Sequence, residues 1–134
     1  HWMNREDAIA VPWMAKQTRN PLPSRIVWKQ DNVTHSTFYW LAVPTGKAAK
    51  GPHITATLEQ QQVAIKGPAG KIVLVRFNDH LINLDRPVSI KGNGKQLFQG
   101  RVPRTINRLQ ETLDERRDPH LMFSAEMPVL LPAP

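Results

Sequence analysis

The sequence predicts a mainly β protein, an antiparallel β-sandwich of immunoglobulin-like type with a helical segment at its start and one amphipathic helix late in the chain. Three observations predict it. From Ser24 onward, short runs rich in β-branched and aromatic residues recur between turn residues, at 25–30, 37–43, 53–60, 62–67 and 71–78. Asn93-Gly94 separates two further runs of this kind, as a tight hairpin requires. Helical spacing is confined to the first 20 residues and to 104–119.

Each element follows from local chemistry. At the start, Asn4 is suited to cap a helix over 4–18, Glu6 and Asp7 suit its positive end, and Ile9 with Trp13 and Ala10 with Met14 recur four apart. Pro12 predicts a kink or a fresh start there. "RNPLPS" (19–24) ends the helix, because the residue before each Pro is pushed to extended geometry. In 53–60, Ile54, Ala56 and Leu58 alternate with Thr55, Thr57 and Glu59, the pattern of a sheet with one buried face. The run 71–78 is apolar on both faces and predicts a central strand with cover on each side. Gly92 and Gly100 suggest a bulge beside the Asn93-Gly94 turn. In 104–119, Thr105 is placed to cap, Ile106, Leu109 and Leu113 form an apolar stripe, and Pro119 stops the helix. "HLMFSAEM" (120–127) reads as a closing strand and "PVLLPAP" as a tail.

At 134 residues the chain is long enough for one hydrophobic core without staples. The absence of Cys excludes disulfides, thiolate metal sites and a Cys nucleophile. No apolar run approaches the ~18 residues of a membrane-spanning helix.

Charge raises a different question. The 18 Lys and Arg against 11 Asp and Glu give a formal +7. Arg86, Lys91, Lys95, Arg101, Arg104 and Arg108 follow one another with no acid before Glu111. On a twisted hairpin such side chains could share a face and attract an anionic polymer, with Lys91, Lys95, Arg101 and Arg104 as the binding residues. The plainer expectation is that they guard exposed strand edges.

Two other groups invite chemistry. Trp28, Phe38, Tyr39 and Trp40 could stack on sugar rings, but alternation sends Phe38 and Trp40 one way and Tyr39 the other, so packing in the core is expected. "NDHLINLDRP" (78–87) offers Asp79, His80 and Asp85 as an acid/base or metal cluster. Asn and Asp in such a stretch more often bond their own backbone, and Leu81, Ile82 and Leu84 are placed to anchor a structural loop.

"HWMN" followed by an amphipathic helix resembles the end of the α/β-hydrolase fold, where the catalytic His precedes the last helix and is often followed by Trp. The segments NREDAIAVPWMAKQTRNPLPSRIVWKQDNVTHSTFYWLAV, NDHLINLDRPVSIKGNGKQLFQGRV and RTINRLQETLDERRDPHLMFSAEM are similar to the C-terminal part of bacterial, planctomycete-type α/β-hydrolase-like serine hydrolases, prolyl-oligopeptidase-like or dienelactone-hydrolase-like. The resemblance implies that 1–23 is the last hydrolase helix and its linker and that 24–134 is an appended β-domain. It implies a non-catalytic accessory role, packing on the catalytic domain or aiding substrate access, with an N-terminal hydrolase domain of the same polypeptide as partner. By the same resemblance His1 matches the general base of a Ser-His-Asp/Glu triad. That triad is incomplete, since Ser24, Ser36, Ser89 and Ser124 all lack the G-x-S-x-G elbow. The chain alone is expected to be inactive and to need no cofactor, in a bacterial periplasmic or secreted setting.

Two alternatives come from other classes. One is a free-standing module for anionic glycans or other polyanions, using the basic hairpin. The other is a copper oxidase in which His1 chelates the metal through its α-amine and imidazole, with His35, His53, His80 or His120 as second ligand.

Overall fold

The computed structural model describes residues 6–30 and 35–134. His1 and Asn4, the expected base and the expected cap, lie outside them. A 3₁₀ turn, Glu6–Ile9, runs into a short helix, α1, Ala10–Ala15. Pro12 falls in its first turn, where a missing N–H leaves no intrahelical bond unmade, so the helix passes through it. Instead of reaching 18, the helix closes at Ala15 as Lys16 and Gln17 turn their N–H groups to Trp13 O and Met14 O in tighter, three-residue bonds.

The strands are β1 (Arg25–Lys29), β2 (Thr37–Phe38), β3 (Leu41–Ala42), β4 (His53–Glu59), β5 (Gln62–Lys66), β6 (Ile72–Phe77), β7 (Val88–Gly92), β8 (Lys95–Gly100) and β9 (Ala125–Leu130), with helix α2 (Ile106–Arg116) between the last two. They form two sheets, β1-β4-β5-β7-β8 and β2-β3-β6-β9, which face each other as the predicted sandwich. One pairing departs from the antiparallel scheme. β5 and β7 run parallel, because β6 lies between them in sequence but in the other sheet. The core is what the period of two dictates: Ile26, Trp28, Ile54, Val63, Ile65, Val88 and Ile90 from one sheet meet Leu41, Val73, Val75, Phe77 and Val129 from the other.

Three local expectations are corrected. The run 37–43 is a hairpin rather than one strand: Phe38 pairs with Leu41, and Tyr39 turns the chain at φ 53°. The reversal puts Trp40 into the core, fully buried, where its indole Nε1 donates to Pro23 O at 2.8 Å. The closing strand starts at Ala125, after a 3₁₀ turn at Pro119–Leu121, and takes in part of the expected tail. Pro128 is tolerated there because β9 is an edge strand, paired only with β6. The bulge in the β7–β8 hairpin falls at Ile90/Lys91, not at a glycine. Gly92 answers to space instead, since a Cβ there would run into the side chain of Leu97.

The hairpin turn does more than reverse the chain. Asn93 adopts φ 48°, as the turn requires, and its side chain is fully used. Its Nδ2 donates to Gly67 O (2.9 Å) and Pro132 O (2.7 Å), while Oδ1 accepts from Gly67 N–H (3.0 Å). The turn, the end of β5 and the C-terminal segment are thus tied at one side chain.

Helix α2 begins as expected, with Thr105 Oγ1 accepting from Arg108 N–H at 3.2 Å. Arg117, in the left-handed region, closes it by donating its N–H to Leu113 O. Its packing differs from the expected stripe. Ile106 is 82% exposed, and the buried residue is Thr112, whose hydroxyl donates to Arg108 O and accepts from Phe123 N–H at 2.9 Å. Next to it Arg76, on central strand β6, donates to Glu126 on β9 (2.9 Å) and to Glu115 on α2 (2.5 Å). The helix is held to its sheet largely by polar contacts.

Candidate functional site

Among the described residues the hairpin cations are not gathered on one face. Cross-strand partners share a face. Lys91 stands opposite Gln96 on the outer face, whereas Lys95 stands opposite Gly92, whose face is buried. Lys95 Nζ then reaches Ala133 O at 2.9 Å. Arg101, exposed, leaves the end of β8. Arg104 is committed elsewhere: its Nε and Nη2 grip the Asp79 carboxylate and its Nη1 donates to Asp85 at 2.8 Å.

That grip explains the stretch 78–87. Asn78 is buried, donating to Met122 O and accepting from Leu81 N–H, and Ile82 and Leu84 are sunk in the core. Asn83 Oδ1 accepts from Asp85 N–H two residues on. Arg104 fastens the loop's outer side to the segment entering α2. The bonds from Arg104 hold the Asp79 carboxyl below the usual carboxylate range, and Asp79 and Asp85 together raise the Arg104 pKa further above its ordinary value. A depressed carboxylate contributes stability that is complete above its unfolded pKa and lost as pH falls through the folded one. Arg104→Gln should therefore lower the plateau near neutrality, only slightly because the pair is exposed, and flatten the acid limb so that the two proteins converge at low pH, and added salt should shrink the difference. Urea titrations from neutral pH down through the carboxylate range check this; an acid limb identical in both proteins would rule out the clamp.

Beside this loop lies an open cleft of about 700 Å³, between Pro21 and Leu22 on one side and the start of α2 on the other. It brings together two of the four histidines considered as second copper ligands, His80 and His120; His35 and His53 lie elsewhere. No group of three or more His, Asp or Glu side chains able to hold a metal occurs among the described residues. Ser124 also lines the cleft, and its Oγ is buried without a hydrogen-bond partner. Neither imidazole is therefore within reach of it as a base, and the Asp79 carboxylate that would orient one is occupied by Arg104.

The aromatic residues divide between core and seam. Trp40 and Trp28 are buried, and Phe38 is half-buried, stacked on Trp28 at 5.9 Å between ring centres and edge-on to Tyr39. Sequence alternation could not place them, because the hairpin at Tyr39 breaks the period.

The largest apolar exposure lies at the other end of the chain. On α1 and the turn before it, Ile9, Val11, Trp13 and Met14 are 77, 71, 63 and 62% exposed, and no residue of α1 is buried. The segment joining it to the sandwich is nevertheless fastened. Arg19 pairs with Asp118 at 2.6 Å, Asn20 Oδ1 accepts from Leu22 N–H, Leu22 packs on the core, and Pro23 O receives the Trp40 indole. A helix with no buried face thus leaves the domain from a held anchor. No family model, curated protein or solved structure matches this chain.

Proposed function

We propose that the chain is a non-catalytic accessory β-sandwich domain that packs, through its N-terminal helix, on the catalytic domain of an α/β-hydrolase-like serine hydrolase. The observation that carries the docking is α1 itself. A soluble domain rarely presents four large apolar side chains on so short a segment unless another surface covers them. The fastened linker supports the same reading, since it fixes where the helix departs and so the orientation of a packed neighbour. The kind of neighbour comes from the resemblance of "HWMN" and the helix after it to the end of a hydrolase domain. In the parent enzyme His1 would take the proton from an attacking Ser supplied by the catalytic domain, giving an acyl-enzyme in ester or peptide hydrolysis.

The test has two arms. The coding frame upstream of His1 should contain G-x-S-x-G, and its full product should react with a fluorophosphonate probe while the chain alone does not. A frame without that motif overturns the hydrolase assignment. In the second arm, Ile9→Ser/Trp13→Ser/Met14→Ser should leave the stability of the chain within about 0.5 kcal/mol, as exposed substitutions do. In the full product the same triple change should raise hydrogen exchange in 6–15. Exchange there that is rapid in the full product before any substitution would show that nothing covers the helix.

A further inference from the structure

Strand β1 is the edge of its sheet, and β2 is the edge of the other. Between these two edges the sandwich has an open seam, a pocket of about 380 Å³ lined by Trp28, Gln30, His35, Thr37, Phe38 and Ala48 among others. Its notable member is Gln30. The inward period of β1, Ile26 and Trp28 buried and Lys29 exposed, carries Gln30 into the seam, where it is 3% exposed. Its backbone is pinned, with N–H to Pro52 O at 2.8 Å and C=O from Gly51 N–H at 2.9 Å. Its carboxamide is not: among the described residues neither Oε1 nor Nε2 has a hydrogen-bond partner. Buried amides are nearly always satisfied, so a fixed one with both ends open points to a ligand.

We propose that this seam binds a neutral sugar ring. The carboxamide offers one acceptor and one donor side by side, which adjacent ring hydroxyls answer, one donating to Oε1 and the next accepting from Nε2. The half-buried Phe38, held from behind by Trp28, supplies a flat apolar wall for the C–H face of the ring. Thr37 and His35 add a hydroxyl and an imidazole at the rim. Among the described residues no carboxylate lines the pocket and Lys29 is the one Lys or Arg, so an uncharged ligand suits it better than an ionic one. The inference is independent of the docking of α1, and either can fail alone.

The test is a titration of the ¹⁵N-labelled chain with methyl glucoside, methyl galactoside, methyl mannoside and N-acetylglucosamine at millimolar concentration. At least one should give saturable shifts at the Gln30 side-chain amide and at the backbone amides of 35–38. Gln30→Met should melt no lower than the parent, because it removes an unsatisfied amide, yet weaken binding at least about tenfold. Phe38→Leu gives a second variant, expected to weaken binding while Gln30 stays in place. Absence of saturable shifts with all four sugars, shifts centred away from the seam, or unchanged affinity in Gln30→Met would each overturn the proposal.

Discussion

Alanine in place of Trp40 is expected to cost about 3–5 kcal/mol in urea denaturation, among the largest effects of any single change in the chain. The ring is fully buried and its removal opens a void between two sheets that meet around it. It also strands Pro23 O, which loses the indole N–H at 2.8 Å. Trp40→Phe separates the two contributions. It keeps most of the buried ring but still strands the carbonyl, and should cost about 1–3 kcal/mol. Should Trp40→Ala cost less than about 1 kcal/mol, the reversal at Tyr39 that carries this residue inward would be misplaced.

The second large effect is electrostatic. Arg76 lies on the central strand β6 with its side chain 7% exposed, shared between Glu126, 9% exposed, and Glu115. Replacing it by Met leaves Glu126 buried with only Arg108 in reach, at 3.2 Å. Breaking a buried pair from one side is expected to cost about 3–5 kcal/mol. The second substitution should relieve much of that cost: Arg76→Met/Glu126→Met removes both charges, and a well-packed apolar pair is often neutral against the ion pair it replaces. A double variant as unstable as the single one would show that Arg76 acts by packing, not charge. The packing of α2 reports on the same contact, since Glu115 is its link to Arg76.

The sandwich was legible because its signal is a period of two, and that period survives in β1, β4, β5 and β7 wherever one face meets the other sheet. It failed at 37–43, where Thr37 and six apolar and aromatic residues hide a reversal that no Gly, Asn or Pro announces; Tyr39 takes the positive φ. It failed again in α2. A stripe of Ile106, Leu109 and Leu113 looks like the buried face, but polar anchors, Thr112 and the Arg76–Glu115 pair, decide the helix's rotation. The hairpin cations were legible as a run in sequence but not as a surface, because the register separates Lys91 from Lys95 and two distant aspartates claim Arg104. Gln30 carried no signal at all. One Gln at the end of a strand is ordinary until its burial and its lack of partners are known.

The tie at Asn93 has a consequence for how long the protein stays itself. An Asn followed by Gly is the pair most prone to lose ammonia, as the next backbone nitrogen attacks the side-chain carbonyl, and Asn93-Gly94 is such a pair. In most loops the resulting carboxylate changes little. Here the lost NH₂ is the donor to both Gly67 O and Pro132 O, and an oxygen in its place faces two carbonyl oxygens with nothing to give. Each deamidated molecule would lose the bond from the turn to Pro132 O and keep, among the described residues, only Lys95 Nζ on Ala133 O between them, so damage at one side chain would loosen the chain's last residues far along the sequence.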